Sequence, residues 1–253
     1  MAPIPTPDKS KPLLAVSTKM YFDLEKTKHY TNTLTSLHPK NIHLLLVPDF
    51  LSLPSVIATA KGSQVMIGAQ NCSDQDFGAY TGEVSPRNLA QMGVEYVEVG
   101  HAERRKLFGE TDELIGKKVA AVVRNGMIPL ICIGETSQSS ILSQAVGMAV
   151  EECRAQVQAA LKLIDDDQDV VFAYEPVWAI GADKPAGADH IVMVGQNLKD
   201  LVKGRKGRVG FLYGGSAGPG TWESVKDGVD GLFLGRFAHD ENNLKKVVQE
   251  MGG

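Results

Sequence analysis

MIPLICIG (127–134), QSSILSQAVGMAVEECRAQVQAALKLI (138–164) and DVVFAYEP (169–176) follow one another in the middle of the chain. The two outer runs are aliphatic on both parities, as strands covered on both faces require. The segment between them is long and has apolar residues at helical spacing. Strand, helix, strand is the crossover unit that joins parallel strands. Working outward, the same alternation recurs. Further strands are expected at LLAVSTK (13–19), IHLLLVP (42–48), QVMIGAQ (64–70), YVEVG (96–100), RVGFLYGG (208–215) and GLFLG (231–235). Helical patterns lie at 23–37, 52–61, 86–92, 111–125, 186–203, 219–227 and 241–250, with Thr111 and Ser137 as expected N-caps. An open doubly wound sheet shares this alternation, but no GxGxxG follows the first strand and no break in composition divides the chain. At 253 residues, the length is that of an eightfold α/β barrel filled as one domain. The expectation is an α/β chain with a single (β/α)8 barrel over 13–253. Residues 1–12, with four prolines, are read as a flexible extension.

Charged residues make up 22% and apolar residues 43%, with a formal net charge of -4. No basic stripe stands out, which argues against a nucleic-acid partner. KGRKGR (203–208) is short and reads as a solvated helix end. Cys72, Cys132 and Cys153 are too few and too far apart for a disulfide framework or a zinc site, so a reducing compartment is expected. No run reaches the roughly 20 apolar residues of a membrane span. MAPIPTPDKSKP has no apolar core of a secretion signal. The reading is a cytoplasmic protein that needs no membrane.

Barrels of this kind carry their chemistry at the C-terminal ends of the strands. Those ends hold Lys19, Asn71, His101 with Glu103, Glu135, Glu175, Gly214-Gly215-Ser216 and Gly235-Arg236. An ammonium, an imidazole and a carboxylate beside glycine-bearing loops point to acid–base work on an anionic substrate. Glycine lets backbone N–H groups approach a phosphate closely.

VEVGHAERRKLFGETDELIGKKV (97–119), AYEPVWAIG (173–181), YGGSA (213–217), GAQN (68–71) and YTGEVS (80–85) resemble the signature segments of the triosephosphate isomerase family, in register from about residue 13 to 250. The resemblance implies the TIM barrel and cofactor-independent interconversion of D-glyceraldehyde 3-phosphate and dihydroxyacetone phosphate through an enediolate, in glycolysis and gluconeogenesis. It assigns Glu175 as base, His101 as electrophile and Lys19 as the cation. Glu103, Ser17 and Cys132 take supporting places, as does Glu135. Gly181, Ser216, Gly235 and Arg236 fall at the phosphate positions. Pro176, Val177, Trp178, Ala179 and Ile180 open a lid. Tyr80, Thr81, Gly82 and Glu83 match a loop that enters a second subunit of a homodimer, with Glu83 and Arg104 as a candidate ion pair across or near that interface. No cofactor and no metal site are implied.

The chain departs from the family pattern at four places. Ser17 stands for asparagine, Ala102 for serine, Ala182-Asp183 for a lid glycine, and Arg236 for a second glycine after the last strand. Losing polar groups from the site makes room for a longer substrate. An isomerase of a four-carbon ketose phosphate, of the erythrulose phosphate type, is therefore the alternative expectation. A catalytically silent paralogue stands behind it. Arg236 has three readings: a phosphate partner, an outward side chain, or an obstruction if its backbone needs positive φ.

Overall fold

The computed structural model describes residues 10–182 and 185–252. Most of the proline-rich segment, residues 1–9, and Asp183 lie outside them. Pro12 already belongs to the frame, for its carbonyl accepts the His43 N–H at 2.9 Å.

Eight parallel strands pair in chain order and close on themselves: β1 (Leu13–Ser17), β2 (His43–Val47), β3 (Val65–Ala69), β4 (Tyr96–Val99), β5 (Ile128–Ile133), β6 (Val170–Tyr174), β7 (Val209–Tyr213) and β8 (Gly231–Leu234). Leu13 to Val16 of β1 pair with Gly231 to Leu234 of β8, so the sheet is a barrel and the open alternative is excluded. Alternation of side chains divides each strand between two cores. Leu13, Ala15, Leu45, Tyr96, Leu130, Ala173, Leu212 and Phe233 fill the lumen. Leu14, Val16, Leu44, Leu46, Val97 and Phe172 belong to the larger outer core, shared with helix residues such as Val119, Val157 and Leu198.

The outer ring is built from α1 (Leu24–Leu37), α2 (Leu53–Ala60), α3 (Pro86–Met92), α4 (Ala102–Phe108), α5 (Asp112–Arg124), α6 (Leu142–Leu161), α7 (Ala188–Leu201), α8 (Thr221–Val225) and α9 (Glu241–Glu250). Asp23, Ser85, Thr111 and Asp240 cap their helices through side-chain oxygens. Ser137 does not. The long helix starts at Leu142; ahead of it, Thr136 donates both its N–H and its hydroxyl to Glu152 on the helix flank. KGRKGR lies beyond the end of α7, where Arg205 donates to the carbonyls of Asp165 and Gln168. The helix α4 has no counterpart in the periodicity reading, since none of its residues is fully buried and it shows no apolar stripe facing the core.

Candidate active site

Parity places the site. Residues 13 and 15 point into the lumen, so Ser17 does too, one layer nearer the C-terminal mouth. The same step takes Tyr96 to Glu98 and Ala173 to Glu175. Glu175 is held by its own N–H, which donates to the Ile133 carbonyl at 2.8 Å. Two neighbours must be glycine. A Cβ on Gly134 would sit 1.9 Å from the Glu175 carbonyl oxygen, and one on Gly214 would lie 2.7 Å from its side chain. Glu175 is buried, and its Oε2 has no hydrogen-bond partner among the described residues.

His101 faces that free oxygen, with Nε2 3.5 Å from Oε2. Its Nδ1 accepts the Glu103 N–H at 3.1 Å, which caps α4 and leaves the ring proton on Nε2. Lys19 stands across the mouth in left-handed backbone geometry, φ 48°, costly for any residue but glycine. Gln70 holds this turn by donating to the carbonyls of Lys19 at 3.0 Å and Val47 at 3.2 Å. Lys19 Nζ donates to Glu103 Oε1 at 2.7 Å. Burial pulls the lysine pKa down, but that hydrogen bond and the charges of Glu175, Glu103 and Glu98 outweigh it and raise it. Burial lifts Glu103, and Lys19 and His101 together pull it below the ordinary carboxylate range.

These groups surround a cavity of about 200 Å³ whose wall also includes Ser17, Ile180, Gly181, Gly214, Ser216, Gly235 and Arg236. The four expected phosphate residues thus share one pocket with the three expected catalytic ones. Cys132 is buried beside them, and burial drives its thiol pKa well up, so it packs as a neutral group.

Pro176 leads into a single 3-10 turn, Val177–Ala179, and the segment expected to form a lid is held at four described points. Trp178 Nε1 donates to Glu135 Oε1 at 3.0 Å. Ser216 Oγ donates to the Ala179 carbonyl at 2.7 Å. Arg236 Nη2 donates to the Gly181 carbonyl at 2.7 Å. The Ala186 N–H donates to Tyr213 Oη at 2.9 Å. Arg236 therefore stands on the pocket wall and is tied to the Gly181 backbone. Its backbone is ordinary, since positive φ among non-glycine residues falls on Lys19, His38 and Ser216.

Tyr80–Glu83 form an exposed turn closed by the Glu83 N–H on the Tyr80 carbonyl. Arg104 pairs within the chain with Glu110 at 2.5 Å and lies over the Phe108 ring.

Sequence reading missed several contributors. His190 and Tyr174 share the buried Glu135 that anchors Trp178. His239 lies 3.0 Å from the Ser17 carbonyl. Above all, Glu98 is 4% exposed inside the barrel, where Ser17 Oγ donates to it at 3.3 Å and Cys132 Sγ lies 4.0 Å away. Burial pushes its carboxyl up to about 7, with Glu175 adding to the rise and His101, Lys19 and Ser17 opposing it. A glutamate at the inward parity of a strand otherwise built of Tyr, Val and Val was the available signal.

The barrel mouth thus brings a carboxylate, an imidazole and an ammonium group together around one pocket. The triosephosphate isomerase family model matches residues 12–251, and the chain belongs to that family. Its similarity to members of the family runs both ways. The L-erythrulose-1-phosphate isomerase of Pectobacterium atrosepticum is 43% identical over 251 residues, 94% of each chain. That of Rhizobium etli is 40% identical over 235 residues, 89% of this chain and 86% of its own. The triosephosphate isomerase of Aquifex aeolicus is 36% identical over 245 residues, 93% of this chain and 98% of its own.

Proposed function

We propose that the chain isomerises a four-carbon ketose phosphate of the L-erythrulose 1-phosphate kind. The observation that carries this reading is the inner end of the pocket. Ser17, a short hydroxyl side chain only 2% exposed, stands there on the lumen side of the catalytic groups. A further hydroxymethyl group fits beside a short polar residue better than beside a long amide. The likeness to two L-erythrulose-1-phosphate isomerases supports the same choice.

With carbons numbered from the phosphate end, Glu175 removes the C3 proton and the electrons form an enediolate across C2 and C3. His101 Nε2–H donates to the substrate oxygens and relays the hydroxyl proton from O3 to O2. Glu175 returns its proton to C2, leaving the carbonyl on C3, so atoms and charge balance. Lys19 stabilises the developing negative charge and draws in the dianion. Gly181, Ser216, Gly235 and Arg236 hold the phosphate. The lid excludes water while the enediolate exists and keeps it from expelling its phosphate.

Tyr80, Thr81, Gly82 and Glu83 dock on a second copy in this proposal. Supporting it, Phe77 is 81% exposed and Met20, beside Lys19, is 94% exposed. The free cysteines suit a cytoplasmic setting, and no described helix is long and apolar enough to cross a membrane.

The deciding experiment compares kcat/KM for L-erythrulose 1-phosphate and dihydroxyacetone phosphate, with Glu175→Gln as blank. Preference for the four-carbon substrate, lost in the blank, supports the proposal. A hundredfold preference for the triose returns the chain to the triosephosphate activity of its Aquifex relative.

A further inference from the structure

Glu98 takes no part in the proton transfers above, yet it is a buried carboxyl beside the residues that make them. The lumen around it is otherwise lined by Leu13, Ala15, Leu45, Tyr96 and Leu130, and the charges of His101 and Lys19 only partly offset its burial. A carboxyl at that depth is costly unless well hydrogen-bonded. Its two contacts are both long, 3.3 Å to Ser17 Oγ and 4.0 Å to Cys132 Sγ. Glu98 therefore contributes little to holding the barrel together, and an apolar residue would fill this position more cheaply.

What it does control is Ser17. A serine hydroxyl has one proton and two lone pairs. With the proton directed to Glu98 Oε2, the lone pairs of Ser17 Oγ are left for the cavity that Ser17 lines. The Ser17 carbonyl is engaged by His239 Nε2 at 3.0 Å, which gives the residue a second anchor. The inner end of the pocket thus presents an oriented acceptor, and it suits a ligand hydroxyl that donates.

We propose that Glu98 is a specificity-determining positioning residue that, through Ser17, selects substrates bearing a terminal hydroxymethyl group beyond the reacting carbons. This rests on the four-carbon reading given above. A triose phosphate lacks that group and leaves the acceptor unsatisfied, whereas a ketotetrose phosphate supplies the donor. Discrimination arises in binding and alignment, because Glu98 touches neither reacting carbon.

The test measures kcat and KM for L-erythrulose 1-phosphate and dihydroxyacetone phosphate with wild type, Glu98→Leu, Glu98→Gln and Ser17→Ala, each checked for a cooperative thermal transition. The expected result is that Glu98→Leu and Ser17→Ala lower the four-carbon to three-carbon ratio of kcat/KM by about tenfold, the worth of one modest hydrogen bond. Most of the loss should fall on KM, and Glu98→Gln, which can still accept from Ser17, should recover most of the ratio. Should Glu98→Leu fail to fold, Ser17→Ala and Glu98→Gln carry the test. An unchanged ratio in folded variants overturns the role of Glu98 while leaving the four-carbon activity standing. No four-carbon turnover by the wild type overturns the substrate assignment itself, and this inference with it.

Discussion

Glu175 is held by a backbone hydrogen bond and by two glycines that a single methyl would displace, so its geometry does not depend on its charge. Glu175→Gln should keep the fold and lower kcat by about 10²–10⁴-fold, the usual worth of a general base, with KM little changed. Steady-state kinetics with a thermal melt check this, and a fall confined to KM would contradict the role. Glu98 makes a second prediction, on stability. Its carboxyl is pushed up to about 7 in the folded chain from an ordinary 4.5, burial being the main cause. Between those pH values the folded state keeps a proton that the unfolded state has lost. This contribution is therefore full below about pH 4.5 and is lost as pH rises through 7. About 2.5 pH units at about 1.4 kcal/mol each give about 3 kcal/mol. Glu98→Gln should remove that slope, so urea midpoints of the variant should gain on wild type between pH 5 and 8. The carboxyl is faced by His101, Glu175, Lys19, Ser17 and Cys132, and parallel pH profiles in both proteins would show that it does not titrate there.

The lid is the element on which chemistry and packing meet. Trp178, Ala179 and Gly181 are fastened to Glu135, Ser216 and Arg236, which come from the ends of β5, β7 and β8. Arg236 is the anchor that also lines the pocket. Arg236→Ala should raise KM several-fold for either phosphate substrate and speed amide exchange at residues 177–182 about tenfold, as expected for one lost hydrogen bond to a charged group. Exchange measured by mass spectrometry decides between this and a side chain that serves the phosphate alone, for which the lid would not loosen. The strain at Lys19 belongs to this scale too. Gln70, one residue past β3, keeps that turn in place through two carbonyls.

Across the whole molecule, a buried network ties the loop after β3 to α4 and α5. Lys118 Nζ reaches Asn71 Oδ1 at 2.9 Å and Glu110 Oε1 at 2.6 Å, and Arg104 shares the same glutamate oxygen. Lys118→Met removes one partner from a buried pair and should destabilise the fold by about 3–5 kcal/mol, read from chemical denaturation. A loss under 1 kcal/mol would mean that Arg104 alone suffices for Glu110. Assembly is the second property at this scale. The chain should sediment as a dimer at micromolar concentration, and Phe77→Glu, on the exposed face beside the Tyr80–Glu83 turn, should shift it towards monomer. A monomeric wild type would remove that turn from any interface.

The order of the strands and of every helix but α4, the barrel, and the convergence of Lys19, His101 and Glu175 on one mouth were legible in the chain. Buried parallel strands must be apolar on both faces, and strand ends are fixed positions in such a barrel. Ser17, Arg236 and Ala102 could be named as departures, but their consequences could not be read. Whether Arg236 met phosphate, solvent or lid depended on where Gly181 lies, 55 residues away. Glu98 was written plainly between two valines, yet its meaning required Ser17, 81 residues distant, to stand opposite it. Local sequence determines which side of a strand a residue faces. Only closure of the barrel decides which side chains from other strands it meets there, and that pairing sets both the burial of the Glu98 carboxyl and the shape of the pocket.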